Sequence, residues 1–173
     1  MKSHSAVIIF LAASTIASAQ TKNPVSSALK EILPRQQKNL VAAAEEMPAD
    51  KYGYKPTEAQ ITFGHLMLHV AQTNEHLCAK ISDSPEPRAI DVKDTDSKEK
   101  IVGALKGSFD FCSSALAKVD DSKLGDTVEL FGGHSGPRAA AMFIISNDWA
   151  DHYSAAAMYL RLNGMLPPTA QKK

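Results

Sequence analysis

The chain has 173 residues, of which 44% are hydrophobic and 22% are charged, a balance typical of one soluble globular domain. Basic and acidic residues are equal in number, with 19 of each. The chain therefore lacks the excess of positive charge with which proteins bind phosphate backbones, and we expect no nucleic-acid partner.

The first 19 residues have the pattern of a secretory signal peptide. A positively charged start containing Lys2 precedes the apolar run "AVIIFLAAST", and "ASAQ" supplies the small residues of a cleavage site after Ala19. The apolar run is too short to span a bilayer as an ordinary transmembrane helix. We therefore expect residues 20–173 to form one exported domain, periplasmic or secreted, without a membrane anchor.

Helical periodicity dominates the rest of the chain, and no strand is predicted. A first helix is predicted from about Asn23 to Met47, and Pro34 within it is expected to kink or split the helix. After a polar connector, a second helix is predicted to start at Thr57 or Ile61 and to end at Ile81.

Two more helices follow two long connectors. Residues 82–97 are polar and proline-rich, and a third helix is predicted from about Lys98 to Val119. The next connector contains "GGHSG". This sequence lacks the Lys-Ser/Thr pair of a phosphate-binding loop and is predicted to be a turn. The apolar run before it, residues 128–131, is expected to pack on the helices. Ser135 is predicted to cap a fourth helix that starts at Pro137 and runs to about Asn163. Four helices of this length favour a four-helix bundle.

Two polar residues lie beside the inward stripe of the fourth helix. Asp148 and His152 are four residues apart, so they share a face that also borders Trp149 and Ile145. Three interpretations compete: an exposed ion pair, a buried hydrogen-bonded pair without a metal, and half of a metal site. A buried carboxylate needs a partner in the last two cases.

The second helix carries three histidines in "HLMLHVAQTNEH". His65 and His69 are also four residues apart, but no glutamate follows His65 as it does in zinc metalloproteases. His69 points closest to the predicted core. His65 and His76 are expected to lie on the solvated flank of the helix.

The stretches "FGHLMLHVA" and "DHYSAAAMYLRLNGMLPP" resemble the DinB/YfiT-like superfamily of metalloenzymes. The resemblance extends over residues 24–168 and includes the connector after the first helix. It implies an all-α four-helix bundle with a long crossover between helices 2 and 3, so that these two helices run parallel.

The resemblance also implies a metal site. Members hold a metal with three histidines, one on the second helix and two on the fourth. His69 and His152 match two of these ligands, whereas Asp148 stands where the third histidine is usual. Two histidines and a carboxylate suit a divalent ion, with zinc favoured and nickel or iron as alternatives. Asp148 is alternatively an acceptor that orients His152, and His65 is a possible additional ligand.

Parallel second and third helices would bring Cys78 and Cys112 to similar heights. The two cysteines are then a candidate disulfide in an oxidising compartment, and two buried free thiols are the equally open alternative. The resemblance implies an enzyme of hydrolase or transferase type acting on an unknown small molecule, and a homodimer is possible because many relatives form one. The alternative is a non-catalytic binding or stress-related bundle that has lost or altered its metal site.

Overall fold

The computed structural model describes residues 22–171 and is an all-α four-helix bundle, as predicted. The helices are α1 Pro24–Glu46, α2 Phe63–Ser82, α3 Lys98–Leu116 and α4 Arg138–Leu162. The predicted signal peptide and its cleavage site lie outside the described residues. Among those described, no helix is long and apolar enough to cross a membrane.

The crossover topology is also confirmed. Both α1 and α2 pack against α3 and α4, so α1 and α2 occupy opposite corners of the bundle. The start of α2 lies against the start of α3, and Asn74 in the middle of α2 bonds Ser108 in the middle of α3. These two helices are therefore parallel, and residues 83–97 return along the length of the bundle between them.

Local signals set the ends of the central helices. The hydroxyl of Thr62 accepts a hydrogen bond from the backbone N–H of His65, which caps the start of α2, and Ser97 caps α3 through Lys100 in the same way. At its other end α2 stops at Asp83, which has a left-handed backbone with φ of 54°.

The prediction that Pro34 could split the first helix is wrong. α1 runs without interruption from Pro24 to Glu46, and Pro34 lies on its exposed side. Leu33 on one side of the proline and Leu40 on the other are both buried in the core. Packing on both sides of Pro34 therefore holds the two halves of α1 in one helix, despite the backbone hydrogen bond that proline removes.

The connector before α4 contains an antiparallel hairpin that the sequence did not predict. β1 Thr127–Glu129 pairs with β2 Ser135–Pro137, and Gly132 and Gly133 take left-handed backbone angles in the turn. Strands of three residues are too short to show the alternation that marks a strand. Ser135 is therefore not the cap of the fourth helix; Pro137 is the N-cap residue and α4 begins at Arg138. Val128 and Leu130 do pack on the bundle, whereas Phe131 remains 44% exposed.

A buried chain of polar side chains connects three of the helices. The indole N–H of Trp149 donates to the Asn74 side-chain oxygen over 2.6 Å, and the Asn74 amide donates to the Ser108 hydroxyl over 3.0 Å. Trp149 and Asn74 are completely buried. Because an unpaired polar atom in this position is costly, the chain of bonds fixes the rotation of α4 against α2 and α3.

A disulfide connects the C-terminal halves of the two parallel helices α2 and α3. The structure joins Cys78 of α2 to Cys112 of α3 across a sequence separation of 34 residues, and both residues are fully buried. The bridge crosses the interface that the crossover creates. Its main physical effect is to reduce the conformational entropy of the unfolded chain, which stabilises the folded state relative to it.

We predict that the Cys78–Cys112 bridge forms in the purified protein and stabilises it. Unfolded, unreduced protein should show no titratable thiol, and reduction should lower the free energy of unfolding by about 3 to 4 kcal/mol. A thiol assay in denaturant and urea unfolding followed by Trp149 fluorescence measure the two effects. Two titratable thiols would show that the cysteines are free.

Gly64, at the start of α2, lies against the backbone of the crossover. A Cβ atom at Gly64 would come within 2.9 Å of the backbone oxygen of Asp94 and 3.2 Å of the Ile101 side chain. We therefore predict that Gly64→Ala lowers the free energy of unfolding by about 1 to 3 kcal/mol, because the backbone of the crossover must move.

Gly103→Ala is the matched control for this substitution. Gly103 is an exposed glycine within α3, and no atom lies within 4 Å of a Cβ atom built there. This variant should gain about 0.5 to 1 kcal/mol in urea unfolding, because alanine favours a helix over glycine. Equal effects of the two substitutions would contradict the close approach at Gly64.

Candidate metal centre

Three side chains from α2 and α4 meet on one side of the bundle. His69, Asp148 and His152 each offer a ligand atom within 4.8 Å of the others, and they are the one such group of three within residues 22–171. His69 Nε2 lies 3.7 Å and His152 Nδ1 3.4 Å from the same Asp148 oxygen, Oδ1. The two imidazole rings are 4.7 Å apart between centroids.

The backbone of α4 sets the tautomer of His152. Its Nδ1 lies 2.7 Å from the main-chain oxygen of Asp148. A carbonyl oxygen can only accept a hydrogen bond, so Nδ1 carries a proton and donates it. In the neutral ring Nε2 then keeps its lone pair, which is the state in which histidine binds a metal.

Asp148 is the least satisfied residue of the cluster. Its side chain is 13% exposed, and its second oxygen, Oδ2, is buried without a hydrogen-bond partner. A buried carboxylate oxygen without a donor is costly, and a cation bound beside it would remove that cost. Two imidazole nitrogens and one carboxylate are also a ligand set that divalent metals accept. The residues present therefore fit a divalent metal ion.

The low exposure of Asp148 and His152 excludes the interpretation of a solvent-exposed ion pair. Their side chains are 13% and 17% exposed, respectively. They are held at the border of the core because the next residue, Trp149, is anchored inside it by Asn74. The rotation of α4 thus directs the pair toward His69 on α2.

His69 is the exposed member of the cluster. Its side chain is 45% exposed, so the cluster is open to solvent on the α2 side. The carboxylate of Asp148, which faces Nε2 as an acceptor, raises the pKa of His69 above the ordinary value of 6.5, although partial burial acts in the opposite direction. Protons would therefore compete with a metal ion for His69 Nε2.

The other two histidines of α2 lie outside the cluster. His65 Nδ1 is 3.3 Å from an oxygen of Asp94 in the crossover. His76 is not on a solvated flank as expected: its ring contacts Phe131, its Nε2 donates to the Leu130 carbonyl over 2.9 Å, and its Nδ1 faces Glu86. The hairpin covers this part of α2.

Three residues that matter here were not found from the sequence. Asn74 positions Trp149, whereas Asp94 and Glu86 hold the two outer histidines. Asn74 had a signal, a single amide within an apolar helical face. The two acids belong to the crossover, where no periodicity predicts which side chains turn toward α2.

The chain belongs to the DinB superfamily, because the sequence model of that family matches residues 32–154. Among solved structures it is similar to a DinB-like protein of Bacillus subtilis, with 18% identity and a TM-score of 0.67, over 84% of this chain and 99% of that one. A DinB-like protein of Bacillus cereus gives 14% identity and a TM-score of 0.66, over 82% and 95%.

A conserved protein of Enterococcus faecalis is similar as well, with 15% identity and a TM-score of 0.62, over 80% of this chain and 96% of that one. At these identities the likenesses concern the fold. No protein of curated function matches the sequence.

We predict that in metal-free protein His69 titrates above 6.5 and that Asp148→Asn lowers its pKa. The raised pKa means that His69 contributes stability that is fully present below about pH 6.5 and is lost as the pH rises through its folded-state value. Histidine NMR spectra recorded across the pH range measure the pKa, and Asp94→Asn is the control that leaves His69 unchanged. An unshifted His69 in wild-type protein would contradict its pairing with Asp148.

Proposed function

We propose that the chain is an exported, divalent-metal-dependent enzyme of hydrolase or transferase type that acts on a small molecule. His69, Asp148 and His152 would hold the ion, with zinc favoured and nickel or iron as alternatives. The observation that carries the proposal is the buried, unpaired Oδ2 of Asp148 beside two histidines. Export is supported by the predicted signal peptide and by the disulfide, which suits an oxidising compartment.

Three protein ligands would leave a coordination position of the ion open for water or a substrate. A divalent ion supplies Lewis acidity, polarising a substrate oxygen or lowering the pKa of water. In this scheme His152 is held in one tautomer by the Asp148 carbonyl, and Asp148 supplies the negative charge. The exposed edge of His69 leaves the cluster accessible to a small substrate from the α2 side.

A second candidate function is a non-catalytic binding or stress-related bundle with an altered site. It is favoured by the position of Asp148 Oδ1, which lies near both His69 and His152. A protonated His69 beside an ionised Asp148 is balanced in charge without a metal. Metal content separates the two candidates.

We predict that the purified protein binds one zinc ion per chain and that His152→Ala or Asp148→Ala weakens binding by roughly 100-fold or more, since even residues that only support metal ligands cost 10- to 100-fold. Calorimetric titration of metal-free protein with zinc gives the affinity. Cobalt titration adds a visible spectrum that reports the ligands. Asp148→His, which restores three histidines, should retain binding.

His65→Ala and His76→Ala are the matched controls, because each removes an α2 histidine that faces a carboxylate outside the cluster. Both should bind zinc as the wild type does. Protein without stoichiometric metal whose zinc titration is unchanged by His152→Ala would overturn the metal site and favour the non-catalytic bundle. A loss of binding in His65→Ala would instead make His65 a ligand.

A further inference from the structure

A second histidine–carboxylate pair lies one helical turn from the candidate metal centre. His65 Nδ1 faces an oxygen of Asp94 across 3.3 Å, and the two side chains are 52% and 41% exposed. An ionised carboxylate can only accept a hydrogen bond, so Nδ1 carries a proton and donates it. In the neutral ring Nε2 therefore keeps its lone pair. This is the arrangement of a histidine base that is oriented by a carboxylate.

The crossover holds Asp94 in a turn that is fixed by hydrogen bonds. The backbone N–H of Lys93 donates to the Asp96 side chain over 2.9 Å, and the backbone N–H of Asp96 donates to the Lys93 carbonyl over 3.0 Å. Lys100 of α3 pairs with the same Asp96 side chain at 3.1 Å. The carboxylate that faces His65 is thus presented by a closed turn tied to the next helix.

The glycine before His65 brings this turn against α2. The backbone oxygen of Asp94 lies only 2.9 Å from the place that a Cβ atom of Gly64 would occupy. A larger residue at position 64 would push the turn outward and move the carboxylate away from His65. The close approach at Gly64 and the closed turn therefore both serve the contact between Asp94 and His65.

A depression of about 270 Å³ connects the pair with the metal cluster. It borders His65, Asp94 and the cluster residue His69, and its remaining lining residues are Leu68, Gln72, Val92 and Lys93. His65 precedes His69 by one turn, which is about 6 Å along the helix axis. A water molecule or a small substrate in the depression can therefore lie within reach of both histidines.

We propose that His65 is the general base of the enzyme and that Asp94 is its positioning residue; this inference rests on the function proposed above. In hydrolysis, His65 Nε2 takes a proton from the attacking water while the water oxygen forms a bond to the electrophilic carbon of the substrate. The bond from that carbon to the leaving group then breaks, and the leaving group keeps the electron pair. The proton passes from His65 to the leaving group or to water, and Asp94 stabilises the imidazolium in the interval.

The first test needs neither a metal nor a substrate. Diethyl pyrocarbonate acylates neutral imidazole nitrogens, and mass spectrometry of the digested, metal-free protein gives the rate at each histidine. At about pH 8, where histidine side chains are largely neutral, His65 should react several-fold faster than His134, an exposed histidine of the hairpin. Asp94→Ala should remove this difference. His76, both of whose ring nitrogens face acceptors, should react slowest.

The second test is the hydrolysis of p-nitrophenyl acetate by zinc-loaded protein. His65→Ala should lower kcat/KM by roughly 100-fold or more, which is the usual contribution of a general base, and should leave zinc binding unchanged. Asp94→Ala should lower kcat/KM as well, and Asp94→Glu, which keeps the carboxylate, should recover part of the loss. His76→Ala is the matched control and should hydrolyse the ester at the wild-type rate.

Two measurements separate a base from a residue that only supports the fold. Free imidazole should restore part of the activity of His65→Ala, which it could not do if the substitution had disturbed the bundle. Hydrolysis by wild-type protein should be slower in heavy water, because a proton is transferred in the slow step. Equal rates in the two solvents would show that the imidazole attacks the ester directly and would overturn the role of His65 as a base.

The inference is also overturned by a His65 that reacts no faster than His134, by a zinc-loaded wild type that does not hydrolyse the ester, or by full activity of His65→Ala. Protein that binds no zinc overturns the proposed function instead. In that case the first test still decides whether Asp94 activates His65, because it is carried out on metal-free protein.

Discussion

The hydrogen bond between Trp149 and Asn74 determines how the rest of the molecule is arranged around α4. It joins Trp149, the bulkiest side chain of the core, to the fully buried amide of Asn74, and Ser108 of α3 completes the chain of bonds. A rotation of α4 would break the bond and bury an unpaired donor, which costs more than the bond itself contributes. The rotation of α4 is thereby fixed for both of its faces.

One consequence of this fixed rotation is the cluster on the α2 side. Asp148 and His152 lie on either side of Trp149 along α4, and so they are held at the rim of the core, neither free in water nor deeply enclosed. The carboxylate is buried enough to need a cation, whereas His69 is exposed enough to exchange protons with solvent. A proton on His69 and a divalent ion would therefore compete for the one negative charge of Asp148.

The helices could be predicted closely from the sequence, since periodicity and capping are local properties. The predicted third helix, from about Lys98 to Val119, ends only a turn beyond the observed α3. His69 was predicted to point closest to the core of the three histidines of α2, and its side chain lies at the edge of the bundle, 45% exposed. The hairpin could not be predicted, because its strands have three residues each and are held by the bundle surface. The predicted break of the first helix at Pro34 was wrong for the opposite reason, because tertiary packing overrode a local rule.

The site was predictable as a set of residues, but the resemblance to a family was needed to join α2 and α4. Periodicity places His69 and Asp148 on inward faces of separate helices without saying that these faces meet. The partners of the outer histidines, Asp94 and Glu86, depend on the path of the crossover and carry no sequence signal of their own.

Which alanines and serines of α4 face the core and which face solvent becomes clear only once the rotation of the helix is known. In the sequence they are compatible with any buried helix, and the stripe through Trp149 accounts for the inner ones. With Trp149 directed inward, Ala150 and Ser154 lie on the opposite side, in water, next to a phenylalanine and a methionine that are mostly exposed. An isolated surface helix normally carries charges at such positions. The bond that turns Asp148 and His152 toward α2 therefore also turns the uncharged side of α4 outward, so the candidate site and this exposed side are two consequences of the same constraint.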